Sequence, residues 1–101
     1  MSKSNIFSKI YEVVKKIPQG KVTTYGEISK FLLIKNPKVV GWALHANKNK
    51  DIPCHRVVNK QGQLAKNYSF GGLKEQKKRL IKEEIVFSKD NVDLKKHKVC
   101  L

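Results

Sequence analysis

The segment Pro53-Cys54-His55-Arg56-Val57 holds the residue types best suited to chemistry in this chain. A thiolate, not a thiol, is the nucleophile, and a neighbouring base or positive charge makes it available near neutral pH. Proline fixes its own φ and pushes Ile52 towards extended geometry, so Cys54 is expected on a rigid, strand-like piece rather than in a helix. Adjacent side chains on such a piece point to opposite faces, which lets His55 reach Cys54 only through a bend or a bridging water. Taken alone, such a pair is more often an inert small hydrophobe beside a surface imidazole. The spacing fits no zinc site, because there is no CxxC and the second cysteine, Cys100, sits at the end of the chain.

The surroundings of the pair must therefore decide. With 101 residues there is room for one small domain and one modest core. Lysine and arginine number 22 against 8 acidic residues, a formal net charge of +14. Such a surplus favours a polyanionic partner held with salt-sensitive affinity, nucleic acid ahead of a lipid surface. No basic stretch carries the Trp/Phe/Leu-rich face of a membrane-surface helix, so no membrane partner is expected. A lysine-rich composition bias is the bland alternative, and nucleic acid leads it. Two cysteines far apart do not make a secreted disulfide framework, and the N-terminus leads straight into an amphipathic pattern. A reduced, cytoplasmic protein is expected.

In chain order, Ile6, Phe7, Ile10, Val13, Val14 and Ile17 form one face of a helix over residues 5–17, with Ser4 as N-cap and Pro18-Gln19-Gly20 as its stop. After a short extended link at Lys21-Val22-Thr23, Thr24-Tyr25-Gly26-Glu27 has the form of a capping box. It opens a short helix through Ile28, Phe31 and Leu32. Asn36-Pro37 is a second start signal, for a helix through Val40, Ala43 and Leu44 to about Asn47. Two short helices so joined suggest a helix-turn-helix. Residues 56–64, turning at Lys60-Gln61-Gly62, read as a hairpin wing. A glycine-bearing loop follows, then a helix over residues 73–84 with Leu73, Leu80 and Ile81 inward. Lys74, Lys77, Lys78, Arg79 and Lys82 make its solvated basic face. A second hairpin is expected around Ser88-Lys89-Asp90-Asn91, and residues 95–101 as a mobile tail. The fold class is thus mainly α, a small winged helix-turn-helix-like domain with one or two short β-hairpins, over residues 1–101.

The order of these parts is similar to that of a known family. Thr-Tyr-Gly-Glu, Asn-Pro-Lys-Val-Val-Gly, Ile-Pro-Cys-His-Arg-Val-Val-Asn and Tyr-Ser-Phe-Gly-Gly follow one another, ahead of a helix ending in glutamate. This resembles the C-terminal, DNA-binding and catalytic domain of the O6-alkylguanine-DNA alkyltransferases. The resemblance runs from Phe7 to Leu94. It implies transfer of an alkyl group from O6 of a damaged guanine to Cys54. His55 would act as base through a bridging water, Glu83 would orient the histidine, and Asn47 would join the same network. Such a network is expected to lower the thiol pKa.

On the DNA side the resemblance implies that Tyr25 helps rotate the nucleotide out of the duplex, where O6 becomes reachable. Lys38 would fill the gap, with Gly41 and Arg56 as further DNA contacts. The carbonyls of Cys54 and Val57 would accept the guanine amino group. Tyr68 and Ser69 would stand beside O6 and stabilise the departing guanine. No metal or diffusible cofactor is implied, and a monomer acting on double-stranded DNA is expected. The chain departs from the family in three ways. Lys38 replaces an arginine and loses its planar guanidinium. Trp42 occupies a position expected to be small, and the Tyr68–Gly72 loop is one residue longer than in many members. The usual N-terminal domain is expected to be missing, as in the short alkyltransferase-like proteins, which have lost the cysteine and bind lesions without repairing them. Two functions are therefore carried forward: a single-turnover methyltransferase, and a lesion sensor that brings in other repair proteins.

Overall fold

A computed structural model describes residues 3–66 and 68–101. In chain order these form α1 (Lys3–Lys15), β1 (Thr23–Thr24), α2 (Tyr25–Phe31), α3 (Lys38–Ala46), a single 3-10 turn (Cys54–Arg56), β2 (Val57–Val58), α4 (Gly72–Lys82), β3 (Phe87–Ser88), β4 (Asn91–Val92) and α5 (Leu94–His97). The mainly helical class is borne out. Ser4 falls inside α1 rather than at its cap. Asn67, within the loop before α4, lies outside the described residues.

The helix pair forms for the reasons legible in the chain. Thr24 Oγ1 accepts a hydrogen bond from Glu27 N at 3.1 Å and starts α2. Among the described residues Glu27 makes no reciprocal bond to complete the box; its carboxylate meets Lys98 Nζ at 3.2 Å. Asn36 Oδ1 accepts from Lys38 N at 3.1 Å, so the asparagine side chain caps α3 across Pro37. Ser29 Oγ donates to Ile34 O at 2.6 Å and pins the turn between the helices.

The core collects around this pair. Ile10, Val14 and Ile17 from the first helical segment meet Ile28, Val40, Ala43 and Leu44, with Ile52, Cys54, Val57 and Tyr68 completing the cluster. Full burial of each large aliphatic contributes about 1.5–3 kcal/mol before entropy is subtracted. Tyr11 OH donates to Ala43 O at 2.6 Å and fastens α1 to α3. A second cluster joins Val22, Val58, Leu80, Ile85 and Val92.

Three expectations need correction. Val57–Val58 does not fold back on residues 63–64 as a wing. It pairs in parallel with β1, Thr23 beside Val57 and Thr24 beside Val58. Residues 59–63 make a tight turn in which Asn59 Oδ1 accepts from both Gln61 N and Gln63 N. That turn docks through Gly62, whose O accepts from Val92 N. A Cβ there would lie 2.5 Å from Val92 O at φ +84°, so only glycine fits. The remaining hairpin, β3–β4, is antiparallel as expected.

The inner stripe of α4 also differs. Leu80 is buried, but Leu73 and Ile81 are exposed and the fully buried partner is Gln76. Finally, the chain end is not an unpaired tail. Val22 N donates to His97 O and Val99 N to Val22 O, both at 2.9 Å, and Val86 N donates to His97 Nε2 at 2.9 Å.

Candidate active site

Cys54 lies at the start of the 3-10 turn, introduced by Pro53 at φ −78°, ψ 66°. The expected strand-like geometry is therefore wrong: the proline sets a bend, and the cysteine and histidine occupy successive corners of one tight turn. The thiol is 4% exposed. Asn47, the residue ending α3, donates from Nδ2 to Cys54 Sγ at 3.2 Å. Its other contacts hold the loop that follows, with Nδ2 on Asn49 O and Oδ1 accepting from Asn49 N, both at 3.0 Å.

Behind the cysteine, His55 Nε2 is 2.8 Å from Glu83 Oε2. Glu83 sits at the end of α4, where the helix delivers its carboxylate to the turn. Arg56 closes on the same group, with Nη2 at 2.7 Å from Oε2 and Nε at 3.0 Å from Oε1. Its Nη1 donates to Ile17 O at 2.8 Å. Arg56 is thus turned inward as a brace between Glu83 and the Ile17 carbonyl, its side chain 16% exposed.

Electrostatics fix the resting state. Burial pushes the Cys54 thiol up, while the Asn47 hydrogen bond and a backbone bond pull it down without prevailing. The expected lowering of the thiol is not found, and the thiol rests protonated. Burial also lowers the His55 imidazole, against the hydrogen bond and charge of Glu83, with the charges of Arg56 and Arg79 adding to the fall. Burial works to raise the Glu83 carboxyl, but the hydrogen bonds and charges of Arg56 and His55 outweigh it and hold it low. An ionised Glu83 facing a neutral imidazole fixes the tautomer: Nε2 carries the hydrogen and Nδ1 keeps a lone pair able to accept a proton. Among the described residues Cys54 and His55 make no direct side-chain hydrogen bond, so a proton passing between them needs a bridging group.

In front of the cysteine opens a cleft of about 370 Å³. Tyr25, Lys38, Gly41, Trp42, Tyr68 and Ser69 line it, and Cys54 and Gln76 reach it from the buried side. Tyr25 and Lys38 are the first residues of α2 and α3, so the helix pair presents both at the same opening. Burial raises the Tyr25 phenol, with Cys54 adding to the effect. Tyr68 is 7% exposed and its hydroxyl accepts from Arg79 Nη1 at 2.7 Å. Ser69 is exposed and its Oγ stands at 3.5 Å from Leu44 O, the outer limit of a hydrogen bond. Gly71, at φ +127°, turns this loop into α4, and a Cβ there would meet Glu75 Cβ at 2.8 Å.

Like Arg56, Val57 is an expected contact residue that does not line the cleft. Its carbonyl accepts from Gln76 Nε2 at 3.1 Å, and Cys54 O accepts from Val57 N. Each carbonyl keeps a second lone pair. Gln76 itself was missed in the sequence. Buried on α4, it donates to His55 O at 3.2 Å as well as Val57 O, and accepts from Ala65 N at 2.8 Å. Its place one turn before Leu80, on the face that ends at Glu83, was the available signal. Arg79, read as solvated, instead covers the rings of Tyr68 and Phe70, its guanidinium 5.6 Å from each centroid.

Among the described residues, no cluster of His, Cys, Asp and Glu could hold a metal ion, and no helix is long and apolar enough to cross a membrane.

The family model described as 6-O-methylguanine DNA methyltransferase, DNA binding domain, matches residues 5–85. Alkyltransferase-like protein 1 of Schizosaccharomyces pombe is 36% identical over 84% of this chain and 81% of its own length. A methylated-DNA–protein-cysteine methyltransferase of Candida glabrata is 37% identical over 84% of this chain, which spans 41% of that protein. Among solved structures, S. pombe Atl1 in complex with damaged DNA containing O6-carboxymethylguanine superposes with a TM-score of 0.83 at 30% identity, covering 100% of both chains. The O6-methylguanine-DNA methyltransferase of Pyrococcus kodakaraensis gives 0.67 at 36% identity, over 79% of this chain and 46% of that one. The chain therefore spans most of the short relative and less than half of these two methyltransferases.

Proposed function

The chain belongs to the 6-O-methylguanine DNA methyltransferase family through its DNA-binding domain, and on that footing we propose that it removes alkyl groups from O6 of guanine in duplex DNA by accepting them on Cys54. The observation that carries the reading is a cysteine at the buried side of an open cleft, hydrogen-bonded by Asn47 and adjoined by a neutral His55 on Glu83.

O6 of a stacked guanine is out of reach of a sulfur at the bottom of a cleft, so the nucleotide leaves the duplex. Tyr25 helps rotate it out and Lys38 fills the gap, a reading supported by their place at the N-terminal ends of the two helices. With the purine in the cleft, water is displaced and the Cys54 proton passes through a bridging water to Nδ1 of His55. The imidazolium is stabilised by Glu83, whose carboxylate is already ionised. Sulfur then forms a bond to the alkyl carbon as the carbon–O6 bond breaks, O6 keeping the electron pair. In this reading Tyr68 and Ser69, which line the cleft, donate to that oxygen, and the purine takes up one proton from water to leave as guanine while the imidazolium returns its proton to water. The thioether has no route back to thiol, so each molecule acts once. No metal or diffusible cofactor takes part in these steps.

A second reading is favoured by the end-to-end likeness to S. pombe Atl1. In it the same cleft binds the extruded lesion without transfer and marks it for other repair proteins. Mass spectrometry of the intact protein after incubation with an O6-methylguanine oligonucleotide separates the two. Transfer adds one methyl group to wild type and none to Cys54→Ala. Tight lesion binding with unchanged mass establishes the sensor, and indifference to the lesion removes both.

A further inference from the structure

We propose that Arg79 is a positioning residue that holds the Tyr68 hydroxyl as a hydrogen-bond donor into the cleft, towards the oxygen of the departing purine. The inference deepens the transfer reading and rests on it for the identity of the leaving group.

A phenol has one hydrogen and can both donate and accept. Arg79 Nη1 donates to Tyr68 Oη at 2.7 Å, and a guanidinium can only donate. The phenol oxygen is therefore engaged as acceptor on that side, and its hydrogen must be spent elsewhere. Tyr68 is 7% exposed and lines the cleft, so the cleft is where the hydrogen is free to point. Arg79 is itself held. Its Nε is 3.3 Å from Glu75 Oε1 one turn earlier, and its plane covers the Tyr68 and Phe70 rings. The two rings meet edge to face, with centroids 5.9 Å apart. A positive charge on the oxygen also strengthens the phenol as a donor. Burial pushes the Tyr68 phenol up, and the charge and hydrogen bond of Arg79 oppose that rise. The effect appears when negative charge develops on O6 as its bond to carbon breaks, so Arg79 acts on the transfer step rather than on lesion binding.

The test combines Arg79→Leu, Arg79→Lys, Tyr68→Phe and the Arg79→Leu/Tyr68→Phe double variant. Single-turnover transfer from an O6-methylguanine oligonucleotide, oligonucleotide affinity and Cys54 alkylation by iodoacetamide are measured for each. Arg79→Leu is expected to slow transfer on the order of tenfold, the worth of one charged hydrogen bond, with affinity and iodoacetamide alkylation near wild type. Added to Tyr68→Phe it should cost nothing further, because its route is gone. Arg79→Lys should recover part of the rate through its charge. An equal loss in both backgrounds, or a matching loss of iodoacetamide reactivity, makes Arg79 a general scaffold residue and overturns the proposal.

The link is also read without any transfer, by NMR titration of tyrosine labelled at Cζ. The Tyr68 phenol should titrate at higher pH in Arg79→Leu than in wild type, and an unchanged titration overturns the proposal. A wild type that binds lesions but never gains mass overturns the transfer reading alone. The titration then decides whether Arg79 holds the phenol.

Discussion

His55 Nε2 and Glu83 Oε2 lie 2.8 Å apart, with the carboxylate ionised and the imidazole neutral. The pair is poised to receive a proton, and it makes stability depend on pH in one direction. Glu83 is held below its ordinary 4.5, so its contribution is complete above that value and is lost as pH falls through the depressed folded value. His55 is held below its ordinary 6.5, so unfolding takes up a proton that the folded ring refuses. Its contribution is complete above 6.5 and declines below. The urea midpoint should therefore fall continuously from pH about 7 to about 4, and His55→Gln should remove the upper part of that slope. A midpoint that rises on acidification contradicts the arrangement.

The free protein should be a poor thiol. Burial lifts Cys54 above the free-cysteine value of 9.0, so iodoacetamide should alkylate it more slowly than glutathione near neutral pH. In a Cys100→Ser background, thiolate absorbance should titrate above 9.0, and Asn47→Leu should move it higher by removing the bond to Sγ. A midpoint below that of free cysteine would show that the thiol is activated before DNA binds.

Gln76→Leu should destabilise the protein by about 3 kcal/mol, since three backbone groups, one buried and two part-buried, lose their partner and shape is nearly conserved. Urea denaturation followed by helical circular dichroism reads this directly. Loss below about 0.5 kcal/mol would mean that His55 O, Val57 O and Ala65 N find other partners.

Lys38 should act through charge and place. Lys38→Ala is expected to weaken binding to the lesion-bearing duplex more than to the undamaged one, where no gap opens, and to reduce the salt slope by about 1. Fluorescence anisotropy across a salt series measures both. Lys38→Arg, which restores a planar donor, should tighten binding to the lesion more than to undamaged DNA.

Much of the fold could be read from local signals. Thr24, Asn36 and Pro37 announce the helix pair, and its apolar spacing is what the core uses. The hairpin at Phe87–Val92 was legible for the same reason, as a turn between two short apolar runs. The parallel partner of Val57–Val58 was not, because parallel pairing joins residues far apart and leaves no turn signal between them. The cysteine turn was misread because proline favours extended neighbours, whereas here the chain must bend to send Cys54 into the core and His55 to Glu83. Arg56 reads as a DNA contact, and Arg79 reads as solvated charge. Only the tertiary neighbours, Glu83 for one and Tyr68 with Phe70 for the other, reveal them as inward-facing braces. The segment 95–101 reads as a loose end because polar composition alone does not disclose the bonds that Val22 and Val86 offer it.

The pairing of Thr23–Thr24 with Val57–Val58 also sets an order of events. No hairpin can zip these strands together, and the contact forms only once the chain between them, both helices included, has been gathered into place. Until that closure, during synthesis or refolding, Cys54 is an ordinary solvent-exposed thiol, open to oxidation and to any stray electrophile. The inertness of the resting thiol is therefore acquired late, and a chain delayed at this step risks losing the Cys54 thiol to oxidation before the fold covers it.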